Sequence, residues 1–405
     1  MKILVVTSIF RPFRKGGTEV VAEMVIDALA KEYAVTVVTI DRSAPRFSLR
    51  PFVLEEGGVR VIRIAPWNIF SYLDIDRYPF WKRVIWHIID CVQLHGFFLL
   101  WNSIGYEKPD VVCTHAIKGI GYLSFFAIRM RGIPHVHTMH DIQFTYPNGL
   151  LLVGQEKSAL QPSRLLCVYA WYTRFVLGSP VAVVFPSRFL RDWYVSRGFF
   201  KRSRIEVMAN PFPGVSVAAP MDTALKMLHT PLRILCIGQL EPHKGVRFLV
   251  EALEYSPVPC EIWFAGSGSL SGWLEEKAQA LPWIRILGVI KGEEKDRAFR
   301  EVDYTAITSL CYENSPTVIN ESLGLGTPLI VARIGGVAES IIEGENGYVF
   351  EPGDTGSFVA ALEKAYNNKQ YGVMSAKAMY DAQRYSLESY IHSLAILFSA
   401  VCPKK

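Results

Sequence analysis

The feature that most constrains this chain is a rhythm. Short apolar runs alternate with segments of helical spacing from one end to the other. An apolar run that does not itself alternate must be covered on both faces, and a parallel sheet between two helical layers provides that cover. In the first half the runs predict strands at Ile3–Ser8, Ala34–Thr39, Val59–Ile64, Asp110–His115, His135–His140, Val181–Pro186 and Arg204–Ala209. A second series follows at Arg233–Gly238, Glu261–Gly266, Ile284–Leu287, Tyr304–Thr308, Leu329–Val331 and Tyr348–Phe350. Helices are expected between them, among others over Glu19–Ala30 and Val246–Leu253. The expected fold class is therefore α/β, with two Rossmann-like domains facing each other across a cleft.

Length supports two domains, because 405 residues exceed what a single core usually serves and a hydrophobic share of 50% supplies material for two. The stretch from Asn210 to Pro231 carries Pro211, Pro213, Gly214, Pro220 and Pro231 with little periodicity, so the linker is placed at 211–231. The domains are then 1–210 and 232–384. Residues 385–405, with Leu387, Tyr390, Ile391 and Leu394 at helical spacing, form a last helix that can cap either domain, the first being preferred.

A net charge of +5 suits anionic small ligands or an anionic membrane surface as well as it suits nucleic acid, and no nucleic-acid motif accompanies it. The seven cysteines include no C-x-x-C pair, which reads as a reduced, cytoplasmic protein without a zinc site. The apolar run at Ile3 is too short for a signal peptide and is followed by Arg11 and Arg14. The apolar stretch from Val84 to Ile104 is interrupted by His87, Asp90, Gln93, His95 and Asn102, which favours a core or interfacial helix over a membrane span.

In doubly wound sheets, ligands bind beyond the carboxyl ends of the strands. The polar constellations fall there. The most specific is Leu310-Cys311-Tyr312-Glu313-Asn314-Ser315-Pro316-Thr317-Val318-Ile319-Asn320-Glu321. Ser315 reads as a helix cap and Pro316 as a first helical residue, so that the amides of Thr317 and Val318 present an anion site suited to a diphosphate. Glu313 and Glu321 would repel phosphate, and hydroxyl groups of a sugar and a ribose are the better partners. Gly238-Gln239-Leu240-Glu241-Pro242-His243-Lys244-Gly245 follows the first strand of the second series, and Lys244 offers a mobile positive charge. Gly16 and Gly17, after Lys15, let a ligand approach the backbone. His140, followed by Asp141, ends a first-half strand and can donate to a sugar hydroxyl. No closely spaced Asp pair suggests a metal, and no Walker loop, H-E-x-x-H or nucleophile elbow is present.

Together these runs resemble glycosyltransferase family 4, whose members are retaining enzymes of the GT-B architecture, over nearly the whole chain and most specifically from Leu235 to Phe350. The resemblance implies roles. Glu313 would contact the donor sugar, Glu321 the nucleotide ribose, Lys244 the diphosphate, Gly16 and Gly17 the amino-terminal glycine loop, and His140 the reacting groups. Gly335-Gly336-Val337-Ala338-Glu339 with Asn346-Gly347 is similar to the segment that closes the donor site. One departure stands out: many members carry arginine where this chain has Gln239, so a charge-assisted contact to the diphosphate is missing, with Arg188 or Lys15 as candidate substitutes. The implied activity is metal-independent, retaining transfer of a hexose-type sugar from a GDP- or UDP-sugar to a sugar or lipid-linked acceptor in cell-envelope or exopolysaccharide synthesis. The aromatic and basic zone from Trp67 to Trp86 suits an anionic membrane if exposed and a core if buried, and the sequence leaves both open. The competing classes are a sugar-nucleotide 2-epimerase and a nucleotide-sugar-binding protein without turnover.

Overall fold

The computed structural model describes residues 1–13, 16–45, 48–49, 52–156, 163–212 and 226–402. The chain divides into two compact units. The first comprises Met1–Gly149, Pro162–Ala209 and Tyr390–Lys405; the second comprises Leu150–Gln161 and Asn210–Ser389.

In the first unit the elements run β1 (Lys2–Val6), α1 (Gly17–Leu29), β2 (Ala34–Ile40), β3 (Phe52–Glu56), β4 (Val59–Ile64), α2 (Phe80–Cys91), α3 (Leu94–Glu107) and β5 (Val111–Thr114). They continue with α4 (Ser124–Met130), β6 (His135–Thr138), α5 (Arg164–Leu177), β7 (Ala182–Phe185), α6 (Arg188–Val195) and β8 (Arg204–Val207). Among the described residues they form one sheet in the order β3-β4-β2-β1-β5-β6-β7-β8. All neighbours are parallel except β3, which returns antiparallel on β4. The sequence reading missed β3, because its residues are half to fully exposed at the sheet edge and lack the apolar run of a central strand.

The second unit runs β9 (Leu232–Gln239), α7 (Val246–Glu254), β10 (Cys260–Ser267), α8 (Ser271–Ala280), β11 (Ile284–Gly288), α9 (Gly292–Glu301) and β12 (Tyr304–Ile307). It ends with α10 (Thr317–Gly324), β13 (Leu329–Ala332), β14 (Gly347–Phe350), α11 (Thr355–Tyr366) and α12 (Tyr371–Ala382). The sheet is parallel, in the order β11-β10-β9-β12-β13-β14. Its core is the apolar face of these strands, with Leu232, Ile234, Ile262, Phe264, Leu329 and Ile330 fully buried against α7, α11 and α12.

The final helix, α13 (Leu387–Val401), lies with the first unit from Tyr390 onward, where Leu394 and Phe398 line a small cavity together with Val5, Val25 and Leu29. The segment Leu150–Gln161, expected in the first domain, instead belongs to the second. Backbone pairing explains this: Val153 N–H donates to Leu310 O at 2.9 Å and Tyr312 N–H to Leu151 O at 2.9 Å. Most of the expected linker, residues 213–225, lies outside the described residues.

The apolar stretch from Val84 to Ile104 is two helices, α2 and α3, bent by 46° at a break. No single helix among the described residues is long and apolar enough to cross a membrane. The aromatic zone divides residue by residue. Trp86 and Phe70 are buried and Tyr78 stacks on Phe70 at 3.9 Å, whereas Trp67, Phe80 and Trp81 face outward.

Candidate active site

Strand order reverses between β9 and β12 in the second sheet, because the chain leaves β9 toward β10 on one side and returns through β12 on the other. A crevice opens beyond such a reversal. The loops that follow these two strands carry Lys244 and Glu313, and their Nζ and Oε2 atoms lie 2.7 Å apart. Burial alone would lower the Lys244 pKa, but the Glu313 carboxylate and its hydrogen bond outweigh this and raise it. Lysine therefore stays charged here at neutral pH.

The loops are held in register by backbone contacts. Lys244 ends a 3-10 turn, and Gly245 takes a left-handed conformation at φ 73°. A Cβ at Gly245 would meet Thr308 O at 1.9 Å, so only glycine lets the two loops come this close. Thr308 Oγ1 donates to Lys244 O at 3.1 Å, and Leu310 N–H donates to His243 O at 2.8 Å. The other Glu313 oxygen accepts a hydrogen bond from Ser309. Behind it, Gly336 N–H donates to Glu313 O at 2.8 Å, and a Cβ on Gly335, at φ 56°, would strike that same oxygen at 2.2 Å. The Gly335-Gly336 pair thus seats the Glu313 backbone.

Helix α10 begins one residue later than the sequence suggests. Pro316 is the cap residue, in an extended conformation without a side-chain cap, and the helix starts at Thr317. Ser315 does not cap because its hydroxyl accepts from Asn210 N–H at 3.3 Å, while Asn210 Nδ2 donates to Ser315 O at 2.8 Å. The amides of Thr317 and Val318 precede the first hydrogen bond of the helix, Ile319 N–H to Pro316 O at 3.1 Å, and the positive end of the helix dipole lies there. Asn314, Ser315, Pro316, Thr317 and Val318 are all half-buried in this turn. Glu321, one turn further on, pairs with Lys295 of α9 at 3.1 Å. Nothing in the sequence points to Lys295, since the contact joins two helices through the fold. Gln239 is exposed at the carboxyl end of β9, paired in the ladder with Ser267.

In the first unit, order reverses between β1 and β5. Strands β5 and β6 end at Thr114 and Thr138, earlier than expected, because the residues after them leave the ladder. That frees His115 and His140 to meet, with Nδ1 of one 3.1 Å from Nε2 of the other and the rings stacked. Both line a pocket shared with Thr18 and Glu19 of α1, Lys118, and Asp141. Burial, and then the neighbouring His115, pushes His140 down to about 3, so it is neutral at physiological pH and acts as a hydrogen-bonding group. Burial raises the Asp141 pKa above the ordinary carboxylate value. Asp141 accepts Gln143 N–H at 2.8 Å.

The glycine loop differs in one respect from expectation. Gly16 N–H is not presented outward but donates to the Glu19 carboxylate at 2.8 Å. Gly17 opens α1, and a Cβ there would meet nothing within 4 Å. Lys15 lies outside the described residues, and Arg188 heads α6 in the first unit. Among the described residues no three His, Cys, Asp or Glu side chains are grouped as a metal would require.

Comparison with known proteins accounts for both halves. A family model for a glycosyl transferase 4-like domain matches residues 16–211, and one for glycosyl transferases group 1 matches residues 231–368. The chain is 23% identical over 349 residues to the UDP-Gal:alpha-D-GlcNAc-diphosphoundecaprenol alpha-1,3-galactosyltransferase of Escherichia coli, covering 82% of this chain and 86% of that protein. In fold it is similar to sucrose-phosphate synthase from Thermosynechococcus elongatus, with a TM-score of 0.71 at 16% identity over 98% of each chain. Anabaena HepE in complex with UDP gives a TM-score of 0.67 at 17% identity, over 99% of this chain and 100% of that one. With both sheets doubly wound and both halves matched, the chain belongs to the group 1 glycosyltransferases, family 4, of the GT-B fold.

Proposed function

We propose that this protein moves a hexose-type sugar, with retention of anomeric configuration and without a metal, to a hydroxyl of a lipid-linked or polysaccharide intermediate of the cell envelope or exopolysaccharide. The observation that carries the donor side is the approach of Lys244 to Glu313 at the β9–β12 reversal, beside the first turn of α10. Lys244 and the amides of Thr317 and Val318 would take the diphosphate. Glu313 would take a sugar hydroxyl, and Glu321 the ribose. Gln239, Asn314, Ser315 and Pro316 would line the same donor site. The first unit would contribute neutral His140, and Gly17 would leave its open space to the ligand.

In the reaction the bond from the anomeric carbon to the diphosphate oxygen breaks and a bond to the acceptor oxygen forms on the same face. The acceptor proton passes to the departing diphosphate. Negative charge therefore grows on the leaving group, where a fixed ammonium and helix amides stabilise it most in the transition state. Such groups can do this in place of a divalent ion. The E. coli relative, whose acceptor is a diphosphoundecaprenol-linked sugar, supports a lipid-linked acceptor.

The test is a panel of UDP- and GDP-sugars, each offered with and without a polyprenyl-diphosphate-linked sugar, in EDTA, with nucleoside diphosphate release and product configuration by NMR as readouts. Acceptor-dependent release and a retained anomer are expected. Conversion of the donor without acceptor would favour the epimerase, an inverted anomer would overturn retention, and activity restored only by magnesium would overturn metal independence.

A further inference from the structure

Two helices of the first unit are turned inside out relative to an ordinary surface helix, whose apolar stripe faces the core. On α2, Trp81, Val84, Ile85, Ile88 and the following Val92 recur at helical spacing, and all are exposed, Ile88 by 63%. The opposite face holds the helix in place: Trp86 is fully buried and donates to Phe70 O at 2.8 Å, and Asp90 accepts Gly119 N–H at 3.0 Å. On α5 the same pattern appears with Leu165, Val168, Trp171 and Phe175, exposed by 59% or more, while Thr173, Val176 and Leu177 pack inward. Trp171 and Phe175 stack on each other at 6.2 Å.

The two stripes reach a common junction. Tyr172 of α5 donates its hydroxyl to Cys91 O, the last residue of α2, at 2.5 Å. Tyr172 lies between Trp171 and Phe175, and Cys91 between Ile88 and Val92, so the outward residues flank the contact from both helices. Exposed apolar surface on this scale marks an interaction site. Its charge selects the partner. The helices carry Lys82, Arg83, Arg164 and Arg174, and Asp90, their one carboxylate, is buried. Lys82 sits over the rings of Trp81 and Tyr78, which places a cation directly beside the aromatic anchors.

We propose that α2 and α5 together form a docking surface for an anionic lipid bilayer. Apolar stripes with aromatic ends would enter the headgroup region while the basic side chains meet lipid phosphates. The surface is read from exposure and charge, uses none of the donor-site residues, and goes beyond the transfer reaction proposed above.

The experiment is co-sedimentation of the full chain with phosphatidylcholine vesicles with and without phosphatidylglycerol, in the absence of any substrate, with size-exclusion light scattering alongside. Binding to the anionic vesicles that weakens with salt is expected. The pairs Trp81→Ser with Ile88→Ser, Trp171→Ser with Phe175→Ser, and Lys82→Glu with Arg174→Glu should each lower it by about tenfold or more. The substituted side chains are exposed apart from half-buried Lys82, so circular dichroism and nucleoside diphosphate release coupled to sugar transfer onto a water-soluble acceptor should stay unchanged. Absence of binding by the unaltered chain, or binding that the apolar pairs leave intact, overturns the proposal. A dimer that the apolar pairs dissociate, with no vesicle binding, assigns the face to self-association instead. Failure of vesicle binding leaves the donor reading standing, because the binding measurement contains no nucleotide sugar.

Discussion

The carboxyl ends of the two sheets invite comparison, for they share a topology and differ in chemistry. Each sheet reverses order once near its middle, and the polar residues gather there. In the second unit the reversal is furnished with opposite charges in contact, Lys244 with Glu313 and Lys295 with Glu321. In the first it is furnished with histidines kept neutral, of which His115, His135 and His137 are buried and His115 and His140 stack. Buried imidazoles that shed their charge suit neutral hydroxyl groups; charged groups at a helix start suit a diphosphate. A single architectural device can therefore serve opposite electrostatic tasks, depending on whether burial or ion pairing governs the side chains.

The contrast can be broken most sharply at Lys244 and Glu313. Lys244→Ala and Glu313→Gln should each lower kcat/KM by about a hundredfold to a thousandfold, in the range found for removing one transition-state electrostatic contact. Steady-state kinetics with circular dichroism checks this, and near-normal turnover in both variants would dismantle the donor assignment.

A second way to test it is acid. The buried histidines His115 and His135 are pushed down to about 4 and about 3, and His137 well below its ordinary value, all chiefly by burial. Unfolded histidine titrates near 6.5, so below that pH the unfolded chain binds protons that the folded unit refuses. The histidines' contribution to the stability of the first unit should be complete above about pH 7 and fall by about 1.4 kcal/mol per histidine for each pH unit below 6.5, until the folded values are reached. It is opposed over the same range by Asp90, whose carboxyl burial pushes up to about 7. Hydrogen exchange read by mass spectrometry should show β5 and β6 losing protection between pH 6.5 and 5 ahead of β9 and β12. Equal loss in both sheets would mean that the histidines do not set the difference.

The smallest expected effect sharpens the charged side. Gln239 stands where many relatives in the family would have arginine, at the exposed end of β9. Gln239→Arg should tighten nucleoside diphosphate binding by up to about tenfold, the lower range of a charge-assisted hydrogen bond. Calorimetric titration measures it, and unchanged or weaker affinity would place the Gln239 side chain away from the diphosphate.

How much of this was legible in the residues varies with the range of the interaction. The strands expected at Val59–Ile64 and Arg204–Ala209 and the helix after Lys244 follow from local apolar spacing, and the structure has them within a residue or two. That Glu313 and Lys244 each follow a strand is legible in the residues, whereas the adjacency of those two strands is set by the fold. Ser315 was misread as a cap because its hydroxyl had a distant competitor in Asn210. Lys295, and the pairing of Leu152 with Cys311, carry no local signal, since their partners are remote in the chain. The aromatic zone could not be sorted from spacing alone: Trp81 and Trp86 belong to one helix, and only the sheet beneath decides which side is inside.

By itself the sequence determined the alternation of strands and helices and the family. These rest on interactions within a few residues, where spacing and residue type are sufficient. The tertiary structure alone decided that Lys244 meets Glu313, that His140 is neutral, and that α2 and α5 turn apolar faces outward. Contact, desolvation and exposure depend on atoms far apart in the chain, and no local pattern encodes them.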